Sequence, residues 1–284
     1  MMKKIAVLGA TGMAGHVIAL FLEEQGYDVY RMSRSIAISE KNARIDANDF
    51  VSLINWLEEI KPDVVINSIG ILQREADARP DIAIQLNAYL PRKLEQQFKD
   101  SQIKVIHLST DCVFSGTKGG YEEDSLPDGM TMYDRSKALG EVVNEKDLTF
   151  RMSIIGPDTD LNGTGLFNWF MKQQGATNGY TKALWNGVTT IELSKAIDAA
   201  IQQDLSGLYH FTTNGKINKF DLLCLFQKEF NKHNVGIMPY DSYVVDKTLI
   251  NTRTDFKYVI PTYPEMIKEM ALWVNEHKGL YDYE

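Results

Sequence analysis

Cysteine is scarce in this chain: Cys112 and Cys224 stand alone, far apart, among 284 residues. Two such residues make neither a disulfide framework nor a zinc pattern, so the sequence predicts a reduced, cytoplasmic setting. Histidine is scarce too. Its five residues show no metal-ligand spacing, and no metal is expected. Basic charge is in deficit, with 30 Lys+Arg against 38 Asp+Glu and a formal net charge of -8. Nonspecific nucleic-acid binding needs a basic surface, so no nucleic-acid partner is expected. No apolar run approaches the roughly 18 residues of a membrane span, which argues against a membrane partner. The opening Met1 to Gly9 is basic and then apolar, but its apolar run stops after about five residues at a glycine loop. That is too short for the core of a signal peptide. Internal repeats, low-complexity tracts and long linkers are also missing.

What remains is a soluble, globular composition, 44% hydrophobic and 24% charged. The length allows one or two domains, each able to bury a core. Ile5-Ala6-Val7-Leu8 reads as a strand buried on both faces, and Val17 to Leu22 has helical spacing up to Gln25-Gly26. Strands are expected at 27–32, 62–67 and 104–109, with a helix at 50–59 between the first two. A further helix is expected at 82–98, broken or kinked at Pro91. This alternation predicts an α/β fold, a doubly wound parallel sheet of Rossmann type. Residues 1–155 form the expected dinucleotide-binding domain, with 188–204 returning to it. Residues 156–284 form a smaller, interleaved substrate domain. Within it 160–187 reads as irregular and rich in Gly, Asn and aromatics. Helices are expected at 191–202, 220–230 and 264–277, and a strand at 208–211.

Gly9-Ala10-Thr11-Gly12-Met13-Ala14-Gly15 sits between the first strand and the first helix. Glycines there let a pyrophosphate approach backbone N–H groups at a helix N-terminus. Gly9, Thr11, Gly12, Met13 and Gly15 are therefore candidate cofactor contacts. The second strand ends Arg31-Met32-Ser33-Arg34, without the acid that holds an NAD ribose. Arg31, Ser33 and Arg34 suit a 2′-phosphate instead, which favours NADP(H) over NAD(H). Asp46 is a candidate for the adenine region.

Tyr133-Asp134-Arg135-Ser136-Lys137 places a phenol and an ammonium on one helical face. A nearby ammonium lowers a phenol pKa, which suits Tyr133 to proton donation onto a carbonyl oxygen. Lys137 is also placed to hold a nicotinamide ribose. Thr110 ends the strand before this element, where open parallel sheets bind ligands, and its hydroxyl suits carbonyl polarisation.

With Ser109-Thr110-Asp111-Cys112-Val113-Phe114 and Gly207-Leu208-Tyr209-His210-Phe211, these elements make the chain similar to the extended short-chain dehydrogenases/reductases. More narrowly, it resembles the dTDP-4-dehydrorhamnose reductases and related nucleotide-sugar reductases. The resemblance covers the chain end to end and is stronger in the first half. It implies Thr110, Tyr133 and Lys137 as the catalytic triad, and a 4-keto nucleotide-linked deoxysugar as substrate. It also implies cofactor contacts from Asn67, Ser68 and Gly70, and pairing into a homodimer through helices. Cys112 stands where the family usually has tyrosine, which leaves the chemistry intact but bears on the choice of sugar.

For the substrate, Thr110, Asp111, Trp169, Trp185, Asn186 and Arg253 supply the hydroxyl, aromatic, amide and cationic groups a nucleotide sugar needs. Core packing or a structural ion pair are the competing roles for Trp169 and Arg253. His107 and His210 lie in apolar strands and read as core histidines. Two other functions share the pattern: an epimerase or dehydratase holding NAD, and a noncatalytic NADP(H)-sensing regulatory subunit.

Overall fold

The computed structural model describes residues 2–160 and 162–283. In chain order the first half runs β1 (Lys4–Leu8), α1 (Met13–Glu24), β2 (Asp28–Ser33), β3 (Asn42–Arg44), α2 (Phe50–Ile60) and β4 (Val64–Asn67). It continues through α3 (Gln73–Ala78), α4 (Pro80–Ala83), α5 (Leu90–Phe98), β5 (Lys104–Leu108), α6 (Met132–Gly140), β6 (Leu148–Arg151) and β7 (Ile154–Ile155). The second half adds α7 (Leu166–Met171), β8 (Gly175–Trp185), β9 (Val188–Thr189), α8 (Thr190–Gln202) and β10 (Gly207–His210). It ends with β11 (Ile217–Asn218), α9 (Lys219–Glu229), β12 (Val235–Asp246) and α10 (Tyr263–Glu276).

Ile5 to Leu8 are fully buried because β1 lies inside the sheet with helices on both faces. The seven-stranded sheet has the order β10-β6-β5-β4-β1-β2-β3, and its pairings are parallel. The winding reverses between β1 and β4. Ligands of such sheets bind at the carboxyl ends of the strands on either side of that point. One face is packed with Ile18, Leu22, Ile197 and Ile201 from α1 and α8. The other holds Leu53, Leu57, Leu86 and Leu94.

The expected break at Pro91 takes a specific form. α4 and α5 are joined by a π-helical turn, Ile84–Tyr89, directly before the proline. Widening the ladder to i→i+5 there accommodates a residue that cannot donate a hydrogen bond.

The second half is more regular than its composition suggests. β8 and β12 are long strands paired in parallel, with β11 antiparallel on the other side of β8. Phe167, Phe170, Trp185, Leu222, Phe226 and Trp273 build a separate core behind them. Helix α8 packs on α1, and β10 pairs with β6 as the last strand of the large sheet. Residues 207–210 therefore join that sheet from outside the 188–204 span assigned to it by sequence.

β10 is an edge strand, and Arg253 covers it. Its Nη1 donates to the carbonyls of Ser206 (2.7 Å) and Leu208 (2.9 Å). Asp255 grips the same guanidinium through both carboxylate oxygens, and Tyr209 lies under it with the ring centroid 5.5 Å away. Blocking unpaired edge groups is a standard protection against strand addition. Arg253→Leu is expected to lower Tm by several degrees and leave the substrate KM unchanged. Thermal unfolding with initial-rate kinetics checks this, and a raised KM at unchanged Tm would return Arg253 to the substrate.

Candidate active site

Helix α6 starts on a capping box. The Thr131 hydroxyl accepts from Asp134 N, and the Asp134 carboxylate accepts from Thr131 N, each at 3.1 Å. This fixes the first turn and so the direction of Tyr133. Lys137 follows one turn later, and both side chains are buried, 8% and 4% exposed. Lys137 Nζ donates to the carbonyl of Leu108, the last residue of β5, at 2.7 Å. Thr110, two residues on, caps the short turn Asp111–Val113 by accepting from Cys112 N at 3.1 Å.

Burial pushes the Tyr133 phenol far above its ordinary value, and Cys112, Asp111 and Asp134 push the same way. The nearby Thr110 hydroxyl opposes them. Lys137 is not among these leading influences, so the expected lowering by its ammonium is outweighed by desolvation. Lys137 itself is pushed down to about 8 by burial, with Glu141 opposing. Glu141 accepts from Ser109 (2.7 Å) and forms a two-point pair with buried Arg151, at 2.8 and 2.6 Å. Arg151 in turn donates to His210 Nε2 at 2.8 Å, while the other His210 ring nitrogen donates to the Ile250 carbonyl.

Asn87, in the π-helical turn, is a residue that sequence reasoning missed. It is fully buried, accepts from Ile71 N and donates to Ile71 O and the Ser136 hydroxyl. It thus ties the loop after β4 to the helix turn between Tyr133 and Lys137. The available signal was a polar residue between Leu86 and Ala88 in a helical run.

The glycine turn fits a dinucleotide. Gly9 has φ +79°, and a Cβ on Gly15 would meet Gly9 O at 2.2 Å. Gly12 is the N-cap of α1 with no side-chain cap, and the first turn carries no acid. The N–H groups there face outward for an anion, as a pyrophosphate requires. Met13 abuts Gly165, and Thr11 O accepts from Thr159, so a loop of the second half lies against this turn.

At the end of β2, Arg31 is held by Glu23 at 2.6 Å, and the Ser33 hydroxyl accepts from Ser35 N and Ile36 N. Arg34 is exposed. Arg44, opposite Ser33 on β3, is exposed as well and bonds the Ile36 carbonyl. Asp46 accepts from Asn48 in its own turn. Asn67 is buried, donating to His107 and accepting from Ile69 N, and the Ser68 hydroxyl donates to Leu8 O. Gly70 lies beside Asn87.

A cavity of about 660 Å³ opens beside this constellation. Asp111, Cys112, Trp169 and Trp185 line it, together with Lys219 and Lys247, which the sequence did not single out. Burial pushes the Cys112 thiol up to about 12, which leaves it a poor nucleophile. Asn186 lies off the cavity lining, its amide engaged by Leu249 N, Leu249 O and Thr213 O. Arg253 lines a different cavity of about 520 Å³ with Tyr209, Tyr258 and Tyr263.

Residues 2–247 match the model of the family described as RmlD substrate binding domain. The chain belongs to this family. It is an NAD(P)-dependent oxidoreductase of the extended short-chain dehydrogenase/reductase type. A probable low-salt glycan biosynthesis reductase of Haloferax volcanii is 30% identical over 239 residues, 76% of each chain. Methionine adenosyltransferase 2 subunit beta of Xenopus tropicalis is 22% identical over 260 residues, 87% of this chain and 78% of that one. The same fold is seen in dTDP-4-dehydrorhamnose reductase from Bacillus anthracis, solved in complex with NADP. It has a TM-score of 0.82 and 19% identity, and the match covers 96% of this chain and 100% of that one.

Proposed function

We propose that this RmlD-family chain reduces the 4-keto group of a nucleotide-linked deoxysugar with NADPH, in the cytoplasm. The observation that carries this reading is the convergence of buried Tyr133 and Lys137 on the carboxyl end of β5 at Thr110, beside the cavity that Asp111 and Cys112 line. The nicotinamide cofactor, when bound, supplies a hydride for the carbonyl carbon. Tyr133 holds the proton for the carbonyl oxygen, and its raised pKa keeps that proton in place at neutral pH. Thr110 orients the same oxygen. Lys137, held by Leu108 O, grips the ribose. The uncapped start of α1 holds the pyrophosphate. Monitoring NADPH oxidation across dTDP-, UDP- and GDP-linked 4-keto sugars tests the reading. Failure with all of them overturns it.

NADPH is favoured because the end of β2 lacks an acid and presents exposed Arg34, with Arg44 opposite on β3. Arg34→Ala is expected to raise the KM for NADPH about tenfold or more, the worth of a charge-assisted hydrogen bond, and to leave that for NADH unchanged. Equal effects on both cofactors would remove the 2′-phosphate role. Leu139 on α6 and Ile84 and Tyr89 on the adjoining π-helical turn are exposed apolar residues, which supports pairing of two copies through these helices. The likeness to a methionine adenosyltransferase subunit favours a second reading, a regulatory subunit that binds NADP(H). NADPH binding without reduction of any keto sugar would support it.

A further inference from the structure

Two lysines of the cavity have no place in the hydride-transfer chemistry. Lys219 begins α9 and Lys247 follows β12, and both line the cavity with Asp111. Among the described residues neither has a carboxylate within ion-pair distance. Lys216, three positions before Lys219, is paired with Asp246. Lys219 instead lies over the Trp185 ring, 4.6 Å from its centroid. Both lysines act electrostatically on the Asp111 carboxyl from across the space between them. Burial pushes Lys219 down to about 8, so its charge is under-compensated. Two half-buried cations that share a cavity and make no direct ion pair there form a receptor for an anion.

The cavity also has a direction. Asp111 and Trp185 are 8% and 4% exposed, whereas Trp169, Tyr180 and Tyr243 are 39%, 39% and 51% exposed. The Tyr180 and Tyr243 rings are in contact, with centroids 5.1 Å apart. At about 3.3 Å per strand residue, Tyr243 precedes Lys247 by roughly 13 Å of chain. Asp111 and Trp185, with Lys219 over the Trp185 ring, therefore mark the buried end, and the exposed aromatic faces mark the outer end.

The geometry points to Lys219 and Lys247 as the subsite for a nucleoside diphosphate, with the base on the Tyr180 and Tyr243 faces and the sugar directed inward to Asp111. This rests on the nucleotide-sugar reading above and supplies residues for it. Trp185 contributes a surface under the Lys219 ammonium rather than a stack for the base. Lys247, just after β12, lines the same cavity.

Titration calorimetry of the NADPH-saturated protein with dTDP, UDP and GDP, and with the free nucleosides, tests this. The wild-type protein is expected to bind at least one diphosphate far more tightly than its nucleoside. Lys219→Met and Lys247→Met are each expected to weaken that diphosphate at least tenfold and leave NADPH affinity unchanged. Lys219→Arg, which keeps the charge, restores it. If Lys219→Met fails to fold, Lys247→Met carries the test. The inference is overturned if both variants bind the diphosphate as wild type does, or if wild type binds nucleoside and diphosphate alike. Lysine-dependent diphosphate binding without reduction of any keto sugar would sink the reductase reading and support the subsite. Reduction with an unchanged KM in both variants would do the reverse.

Discussion

Tyr133→Phe is expected to lower turnover by about a hundred- to ten-thousand-fold, the usual contribution of a positioned proton donor. NADPH affinity and Tm are expected to stay near wild type. The ring is buried, and phenylalanine fills the same volume. The lost hydroxyl leaves Thr110 with its bonds to Asp111 and Cys112 N, so no buried donor is orphaned. The defect therefore falls on kcat, because the proton is needed only as charge develops on the carbonyl oxygen. Stopped-flow NADPH oxidation with a turned-over keto sugar measures it. A Tyr133→Phe protein with full turnover would remove the phenol from the mechanism.

Glu141→Leu is expected to cost about 3–5 kcal/mol of stability, the penalty for leaving a buried partner charge unpaired. Side chains of Glu141 and Arg151 are 7% and 3% exposed, and their two-point contact is the innermost ion pair described. Removing the carboxylate strands the guanidinium with His210 and the Glu123 carbonyl as partners. It also takes the acceptor from Ser109 and the favourable charge from Lys137. Replacing both members, Glu141→Leu with Arg151→Leu, is expected to recover much of the loss, since apolar pairs of similar volume often match a buried ion pair. Urea unfolding of the single and double variants measures this. A single-variant cost below about 1 kcal/mol would mean that water reaches the pair.

Local motifs made the candidate site legible. A short apolar run stopped by glycine suggests a strand covered on both faces, so β1 was readable, and the position of the glycines after it favoured a dinucleotide turn over a plain tight turn. Tyr133 and Lys137 were readable because helical spacing alone puts them on one face. Where a residue's role depends on a distant partner, the sequence was silent. Arg31 meets Glu23 across a helix and a strand, and this ion pair competes with the cofactor role read from its position. Asn186 and Arg253 have suitable chemistry for a sugar nucleotide, yet their bonds go to backbone of other segments. Lys219 and Lys247 are unremarked lysines until α9 and β12 bring them to one cavity. The strands β8 and β12 were unreadable for another reason. Much of their length is exposed, so burial imposes little alternation on them, and Gly179 and Pro239 read as breakers.

The sheet closes with β10, which lies in the chain between α7 and β8 on one side and β11, α9, β12 and α10 on the other. The substrate half is split in sequence, and α8 and β10 return to the cofactor fold between its two pieces. Ending the chain near residue 155 would leave β6 as a raw edge and uncover the α1 face that Ile197 and Ile201 protect. The two halves are thus interleaved in the chain. Neither exchange of one loop-to-loop cassette nor removal of one tail would take out the second half whole.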